Sequence, residues 1–360
     1  MQHRIAISPL LQSHMLEFAN GQPFGRAMGL LHTALPAVNM SSSQSQRLTQ
    51  YIGNLPASEE LLTSPGFSFA PPKDTQGEEA VSEDVLCETR QDACTTAACE
   101  ESVSEDVLYV EVDGGHLRTD EGYRETKVGR IFGGHHFIKK SSDNEKVGLR
   151  MQLEKSDYLA QLGSHSEFTA RFDKLICAHL HQTPAARMVA ISDGAEWIGK
   201  WLTDRYPKAV VILDFYHALE HLSNFAQLVL EVKAERSKWI EVQQKKLLKG
   251  QTEQVIAAIK RKSKGCGKNA NEHANQLIAY YEKNQYRMKY NEYRAAGYCI
   301  GSGAIESAIS TVVQQRCKLV GQRWTNRVTA VLNIRAILKS GKREKLRAII
   351  SQQMGAPKAA

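Results

Sequence analysis

Carboxylates follow two apolar stretches that the sequence predicts to be neighbouring strands. Asp193 comes directly after Met188 to Ser192, and Asp214 comes directly after Ala209 to Leu213. Each stretch leads into a predicted helix, which is typical of parallel strands in an α/β sheet. Because parallel strands end at the same edge, both aspartates are expected at the edge where open α/β sheets place their sites.

Asp113 ends a third strand-like stretch. The sequence LYVEVDGG alternates apolar and polar residues from Leu108 and is expected to stop at the turn that Asp113 opens. His116 to Arg118 and Lys127 to Phe132 can pair back on it as a β-meander. Taken alone, an aspartate at a strand end is an ordinary turn residue.

Glu306 is the fourth carboxylate of interest. It falls in the first turn of a helix that begins at Gly301-Ser302-Gly303, with Ser302 as a possible cap. The packed face of this helix is formed by Ile305, Ile309 and Val313. An acidic residue in a first turn is also favoured by the helix dipole without any further role.

Asp113, Asp193 and Glu306 together indicate a metal-binding site. Two aspartates on adjacent strands and a glutamate on a nearby helix supply the hard oxygen ligands that Mg²⁺ prefers. Such carboxylates can bind two Mg²⁺ ions roughly 3.5–4 Å apart for in-line attack on a phosphodiester. One ion would activate water or a 3′-hydroxyl, and the other would neutralise the leaving oxygen.

The order of predicted elements around these residues is β-β-β-α-β-α-β. It predicts an α/β fold with a mixed five-stranded sheet and flanking helices, in which the Asp113 strand is central and lies beside the Asp193 strand. The helix between them has an apolar face with i, i+4 spacing. The residues of that face are Phe168, Phe172, Ile176 and Leu180. The histidines of this segment, His165, His179 and His181, are expected on the surface.

Composition divides the chain into five segments. Residues 1–64 are helical, residues 65–107 form an acidic linker, residues 108–222 form the core, residues 223–293 form a helical insertion, and residues 294–360 complete the core and end in a basic tail. The first segment could contain a helix-turn-helix with Ser43 to Ile52 as the DNA-reading helix, or it could be a small bundle.

The acidic linker contains a short tandem duplication, EEAVSEDVLC followed by EESVSEDVLY, of which only the second copy is expected to continue into a strand. Its cysteines, Cys87, Cys94 and Cys99, supply only three loosely spaced candidate zinc ligands, which argues against a structural zinc. Seven cysteines without a Cys-x-x-Cys pair argue against a disulfide framework.

Charge is unevenly distributed. Residues 74–106 hold eleven acidic residues against Arg90, whereas residues 316–347 hold ten Lys or Arg against Glu344. The basic end suggests a polyanionic partner, although such a cluster is also typical of a solvated surface. No apolar run approaches the ~18 residues of a membrane span, and the N-terminus lacks the apolar region of a signal peptide. A soluble, intracellular protein is expected.

Four motifs together resemble the DDE transposases of bacterial insertion sequences, most closely the ISKra-type group with its Mutator-like layout. They are Asp113 in YVEVDGG, Asp193 in ISDGAEWI, Asp214 to His217 as DFYH, and Glu306 in GSGAIES. The resemblance covers about Leu108 to Arg347, and residues 9–54 resemble the helical segment before the core in that group.

The resemblance implies an RNase H-like core with an all-α insertion before the helix of the third carboxylate. It implies that Asp113, Asp193 and Glu306 are catalytic and bind two Mg²⁺ ions, for which Mn²⁺ could substitute. The implied partners are double-stranded DNA, at transposon ends and at the target, and further copies of the chain. A cytoplasmic, nucleoid-associated bacterial protein is expected.

Further residues acquire roles through the same resemblance. Asp214 and His217 match an Asp-x-x-His element that is expected to orient the site or contact DNA. His217 and His221, four residues apart on a helix, could alternatively form a zinc pair, but no further ligand stands nearby. DNA phosphates are expected to contact Arg316, Lys318, Arg323 and Arg327. Trp324 either stacks on a base or fills the core.

Three functions follow from these observations. The leading hypothesis is a transposase that cleaves and joins DNA. The first alternative is a catalytically inactive, transposase-derived DNA-binding protein. The second is an RNase H-like nuclease, against which the long helical insertion counts, because simple hydrolysis of a hybrid does not need it.

Overall fold

The computed structural model describes residues 7–67, 107–141, 149–183, 186–301 and 303–355. The acidic linker with its three cysteines and the first copy of the duplication lie outside the described residues, and so does Ser302. Among the described helices, none is long and apolar enough to cross a membrane.

Within the described ranges, seven strands form two sheets. The strands are β1 (Val107–Thr119), β2 (Gly122–Gly133), β3 (Phe137–Ser141), β4 (Leu149–Leu153), β5 (Asp157–Leu162), β6 (Arg187–Ser192) and β7 (Val210–Leu213). The larger sheet has the order β5-β2-β1-β6-β7, and β3 pairs with β4 apart from it. The expected mixed five-stranded sheet with a central first strand is therefore confirmed.

The central position of β1 follows from its side chains. Residues 107–112 are buried without interruption, as expected for a strand that is covered on both faces. β1 pairs antiparallel with β2 and parallel with β6. Because successive side chains point to opposite faces, Leu108 and Val110 join one apolar core, whereas Tyr109 joins the other.

Three sequence-based predictions about the sheet region are wrong. β1 does not stop at Asp113 but continues to Thr119 and turns at Asp120 and Glu121, so that the β1–β2 pair is one long hairpin. His116 to Arg118 does not form a separate strand but belongs to β1, and the third strand of the meander is β5. His179 is buried rather than exposed, because its Nε2 lies 2.8 Å from the carboxylate of Asp157.

Helices surround the sheet. They are α1 (Pro9–Gly21), α2 (Phe24–Ala34), α3 (Ser42–Gly53), α4 (Pro56–Thr63), α5 (His165–Gln182), α6 (Glu196–Arg205), α7 (Phe215–Val229), α8 (Lys233–Leu248), α9 (Thr252–Ser263), α10 (Lys268–Asn284), α11 (Tyr290–Ala295), α12 (Gly303–Ala308), α13 (Gln315–Cys317), α14 (Val328–Lys339) and α15 (Arg343–Gly355). A π-helical stretch, Ile309–Gln314, joins α12 to α13.

The segment between β7 and α12 is helical throughout its ordered elements, as the sequence predicts. Helices α7 and α10 pack against each other, and their apolar residues join the core on the Tyr109 side of the sheet. Within it, the buried Tyr281 donates a 2.7 Å hydrogen bond to the carbonyl oxygen of Ala218. The insertion is thus anchored to α7, the helix that begins at Asp214.

The N-terminal helices share a core with the C-terminal ones. Leu48 and Ile52 of α3 are fully buried, and α3 packs against α14. The approach is close at Gly53, where a Cβ atom would lie 2.5 Å from the carbonyl oxygen of Ala330. Ser41 caps α3 in a capping box with Gln44, as its sequence indicates. Whether α3 reads DNA stays a prediction.

Candidate functional site

Three aspartates stand side by side at one edge of the larger sheet. In the parallel registers, Val112 of β1 lies opposite Ser192 of β6, and Ser192 lies opposite Leu213 of β7. The next residue along each strand is Asp113, Asp193 or Asp214. Adjacent strands are about 4.8 Å apart, so the three residues form one row across the sheet. We call this row the carboxylate edge.

The pKa of Asp113 is shifted by burial and by neighbouring charges. Burial raises its pKa to about 6, and the charges of Asp193 and Asp214 act in the same direction. The hydrogen bond from the Gly114 N–H to its Oδ1, at 2.6 Å, and the nearby His217 oppose the shift. A carboxyl group whose ionised form is disfavoured by burial and by other carboxylates is a typical feature of a functional site.

Asp193 is held at the end of β6 by backbone contacts. Its Oδ1 accepts a 2.9 Å hydrogen bond from the Ala195 N–H, which bends the chain into α6. Its carbonyl oxygen accepts a 2.8 Å hydrogen bond from the hydroxyl of Tyr280 in the helical insertion. The second Oδ atom makes no hydrogen bond within the described part of the chain, so one oxygen is free for a ligand.

Asp214 differs from the other two aspartates. It is only 3% exposed, and its Oδ1 accepts a 2.9 Å hydrogen bond from the Tyr216 N–H as the N-cap of α7. The following residue, Phe215, donates its N–H to the carbonyl oxygen of Ile300 at 2.9 Å. Asp214 and Phe215 together therefore join β7, α7 and the chain entering α12.

Two histidines of α7 lie next to this edge. The Nε2 atoms of His217 and His221 are 3.1 Å apart, and the His221 ring packs against Tyr280 with 4.8 Å between centroids. Burial lowers the pKa of His221, and the charge of His217 lowers it further. The neutral form of the His221 ring is therefore favoured, and His217 lies close enough to act on Asp113.

The backbone of Glu306 lies in α12, which packs against β1 and β2. The predicted apolar face is confirmed, because Ile305, Ile309 and Val313 are buried. Ile309 packs close to β1 at Gly115. A Cβ atom added to Gly115 would lie 3.7 Å from Cγ2 of Ile309. The helix that carries Glu306 thus lies beside the part of β1 that follows Asp113. The Glu306 side chain itself lies outside the described residues.

Among the described side chains, no three His, Cys, Asp or Glu residues converge closely enough to hold a metal ion. The carboxylate edge brings together two of the three predicted ligands, Asp113 and Asp193, and adds Asp214 and His217 beside them. The donor set is made of carboxylates, which suits Mg²⁺ better than a thiolate-selecting metal. Burial, with the charges of the neighbouring carboxylates, raises the pKa of Asp113, and a bound cation relieves this kind of electrostatic cost.

The cations expected to meet DNA phosphates divide into two groups. Lys318, Arg323 and Arg327 are exposed. Arg316 is 1% exposed, and its Nε donates a 2.8 Å hydrogen bond to the carbonyl oxygen of Ala19. Arg316 is therefore not a surface cation like the other three, and whether it contacts DNA stays a prediction. Trp324 is half-buried and packs on the apolar core beside α12.

Tyr280 was not identified from the sequence. It stands next to Tyr281 in the amphipathic pattern of α10, where both tyrosines look like packing residues. Only the fold shows that the two hydroxyl groups point to different places, one to Asp193 and the other to Ala218. No local sequence signal separates them.

Comparison with known families places this site in context. Residues 77–352 match the Uncharacterised protein family (UPF0236). The chain belongs to the UPF0236 family. No curated protein matches the chain. The matched region of the UPF0236 chain contains the whole carboxylate edge, α12 and the helical insertion, whereas α1 to α4 precede it.

Proposed function

We propose that the UPF0236 chain is a DNA transposase of the DDE type with an RNase H-like catalytic core. It cleaves DNA at the ends of an insertion sequence by divalent-metal-dependent hydrolysis and joins the new 3′-hydroxyl to target DNA. The observation that carries this proposal is the row of Asp113, Asp193 and Asp214 at one sheet edge, with the helix of Glu306 beside it.

The sheet supports the proposal. An antiparallel β5-β2-β1 half continues into a parallel β1-β6-β7 half, and the first strand is central. This is the arrangement that the resemblance to DDE transposases leads us to expect for an RNase H-like core. The insertion of α8 to α11 before α12 agrees with the same layout.

In this proposal, Asp113, Asp193 and Glu306 hold the metal ions. Bound Mg²⁺ supplies positive charge that lowers the pKa of the attacking water and stabilises the charge that develops on the phosphate. Asp113 must be ionised to act as a ligand, so protons and metal ions would compete for its carboxylate. Asp214 keeps β7, α7 and the entry to α12 in place. His217 hydrogen-bonds DNA or a neighbouring carboxylate at the edge.

Phosphates of the DNA are proposed to contact Lys318, Arg323 and Arg327, which are exposed on the loop between α13 and α14. Transposition requires two ends to be held together, so the active form is proposed to be a dimer or a larger assembly on DNA. Sedimentation of the protein with paired-end DNA tests this, and a purely monomeric complex would contradict it. The proposed location is the cytoplasm, at the nucleoid.

The test is cleavage of DNA that carries the inverted repeats flanking the gene. Wild type is expected to nick this DNA with Mg²⁺ or Mn²⁺ and not with EDTA. Asp193→Ala and Glu306→Gln are expected to lose cleavage by about 100-fold or more while they retain binding. Asp204→Ala is the matched control, because Asp204 is exposed on α6, close in sequence to Asp193.

The alternatives give different results in the same assay. Equal cleavage by wild type and Asp193→Ala would reject the proposed site. Binding without metal-dependent nicking by wild type would indicate an inactive DNA-binding protein. Cleavage of an RNA–DNA hybrid with no cleavage of end DNA would indicate an RNase H-like nuclease.

A further inference from the structure

A second polar site lies between the N-terminal helices and the loop that follows α13. A cavity of about 350 Å³ opens there, and its walls come from α2, α3 and residues 321–331. Its size is within the range of small-molecule sites, roughly 300–1,000 Å³. Three arginines line it, Arg316, Arg323 and Arg327, whereas no Asp or Glu does. We call it the arginine cavity.

Arg316 is the unusual member of this set. Its guanidinium lies near two aromatic rings, 4.9 Å from the centroid of Phe24 and 5.1 Å from that of Trp324. Only its Nε is hydrogen-bonded. The buried Nη1 and Nη2 atoms have no hydrogen-bond partner among the described residues. A buried cation with four N–H groups that no described residue pairs is costly, so this arrangement favours an acceptor that the described residues do not supply.

Arg335, a second buried arginine nearby, shows how a structural guanidinium is hydrogen-bonded in this part of the fold. The guanidinium of Arg335 donates to the backbone oxygens of Asn20, Thr311 and Val312. Every nitrogen of that group has a partner. Arg316 is just as buried but donates only to Ala19. The contrast between two arginines in one core indicates that the fold alone does not pair the guanidinium of Arg316, which lines the cavity.

The other walls suit a nucleotide. Gln46 and Gln50 stand one turn apart on α3, and both line the cavity. Glutamine amides can pair with the edge of a base, and aromatic rings such as Phe24 and Trp324 offer stacking surfaces. Arg327 is exposed at the rim, whereas Arg323 is engaged by Asp120 at 2.8 Å. Cations, amides and rings together distinguish this cavity from a simple anion site.

The arginine cavity is separate from the carboxylate edge. Trp324 donates its backbone N–H to the carbonyl oxygen of Arg118 at 3.0 Å, which fixes the cavity wall to the tip of the β1–β2 hairpin. Asp113 and Thr119, which lies at that tip, are six residues apart on an extended strand. The distance between them is therefore about 20 Å. A ligand in the cavity therefore does not occupy the proposed catalytic centre.

We propose that the arginine cavity binds one nucleotide of a DNA strand, with the phosphate on Arg316 and Arg327 and the base between the aromatic rings and the glutamines of α3. The assignment does not depend on transposase activity, because it rests on the cavity alone. In this proposal the N-terminal helices bind nucleic acid directly. They do so through the face that lies against α14 and the loop before it.

The test is calorimetric titration of the full chain with deoxyadenosine 5′-monophosphate, deoxyadenosine and inorganic phosphate. The nucleotide is expected to bind at least about tenfold more tightly than either of the other two, because only it uses both halves of the cavity. Gln50→Glu and Arg327→Glu, both at positions that need not affect folding, are each expected to weaken nucleotide binding by about tenfold or more.

Arg261→Glu is the matched control, since it makes the same charge change on the exposed end of α9 and should alter nucleotide binding by less than about twofold. Nucleotide binding that is unchanged in Gln50→Glu and Arg327→Glu would overturn the assignment. So would phosphate binding as tight as nucleotide binding, which would mean an oxyanion site only. Asp193→Ala should bind the nucleotide normally, so a failure of the catalytic proposal would be seen separately.

Discussion

The hydroxyl of Tyr280 donates a 2.8 Å hydrogen bond to the backbone carbonyl oxygen of Asp193. This bond joins α10 of the helical insertion to the end of the strand that carries the second aspartate. Burial raises the pKa of Tyr280, and the nearby charge of Asp193 adds to this shift, so the hydroxyl keeps its proton at any physiological pH. The insertion is therefore in direct contact with the carboxylate edge.

Tyr280→Phe should remove the hydrogen bond between the helical insertion and the carboxylate edge without disturbing the apolar core. We expect a loss of about 1 kcal/mol in the free energy of unfolding and a fall of about tenfold in the cleavage rate, because the position of Asp193 is no longer fixed from that side. Tyr281→Phe is the control, since it removes an equally short bond from the same helix, to Ala218. If both variants cleave equally, the bond to Asp193 has no role in activity.

The stability of the metal-free protein should depend on the ionisation of Asp113. Its pKa is about 6 in the folded chain against an ordinary value of 3.8, so the folded state disfavours the ionised form. The free energy of unfolding of wild type should therefore fall, relative to Asp113→Asn, as the pH rises from about 4 to about 6. Above pH 6 the variant should be more stable by at most about 3 kcal/mol.

Urea unfolding in EDTA at several pH values measures this difference. Added Mg²⁺ should reduce it by stabilising wild type, because a bound cation offsets the repulsion between the carboxylates. Asp204→Asn, at an exposed position of α6, should follow wild type at every pH. Parallel curves for wild type and Asp113→Asn would show that the fold tolerates this charge without cost.

The sequence alone was sufficient to predict the two strands that end before Asp193 and Asp214. β6 and β7 are short apolar runs bounded by polar residues, and such local patterns are strong. It was not sufficient for β1, because Gly114 and Gly115 read as a turn although they pair with Lys127 and Thr126 across the hairpin. Glycine is common in turns, but it also occurs inside strands where a neighbour comes close.

Partners that are distant in sequence were harder to predict. Arg316 reads as one member of a basic surface, and only the packing of α1 and α2 against it shows that it is buried. His179 looks exposed on an amphipathic helix, but its partner Asp157 comes from β5. In both cases burial is decided by tertiary contacts, which local periodicity does not contain.

Gly301 allows the close contact that holds the start of α12 near Asp214. A Cβ atom at this position would lie 2.5 Å from the Tyr216 ring, closer than van der Waals contact allows. Gly301→Ala should therefore push α12 away from α7, destabilise the fold by about 1–3 kcal/mol and reduce cleavage more strongly than the stability loss explains. Gly29→Ala, where an added methyl meets nothing within 4 Å, is the control.

Activity at a temperature well below both melting points separates the two effects of Gly301→Ala. A variant that is destabilised but fully active would show that the position of α12 is not set by this contact. A variant with normal stability would show that Tyr216 can move aside without cost.

A buried ionic cluster at the start of β5 should dominate the stability of the region between the sheet and the helical bundle. Asp157 is fully buried, and its two oxygens lie 2.8 Å from Nε2 of His179 and 2.8 Å from Nζ of Lys342. It also accepts a 2.6 Å hydrogen bond from the Gly66 N–H. Asp157→Asn should cost about 3–5 kcal/mol, because it leaves the buried Lys342 without its counter-charge.

The pH dependence of this cluster has a definite sign. Burial acts to raise the pKa of Asp157, but the hydrogen bond from His179 and the charge of Lys342 outweigh it, and the net pKa is lowered. Its stabilisation should therefore be complete above the ordinary value of 3.8 and be lost as the pH falls below it. Glu241→Gln, which breaks a solvent-exposed pair with Lys245, should leave the free energy of unfolding nearly unchanged. Equal unfolding midpoints in urea for the two variants at pH 7 would mean that the cluster does not hold β5, α5 and α15 together.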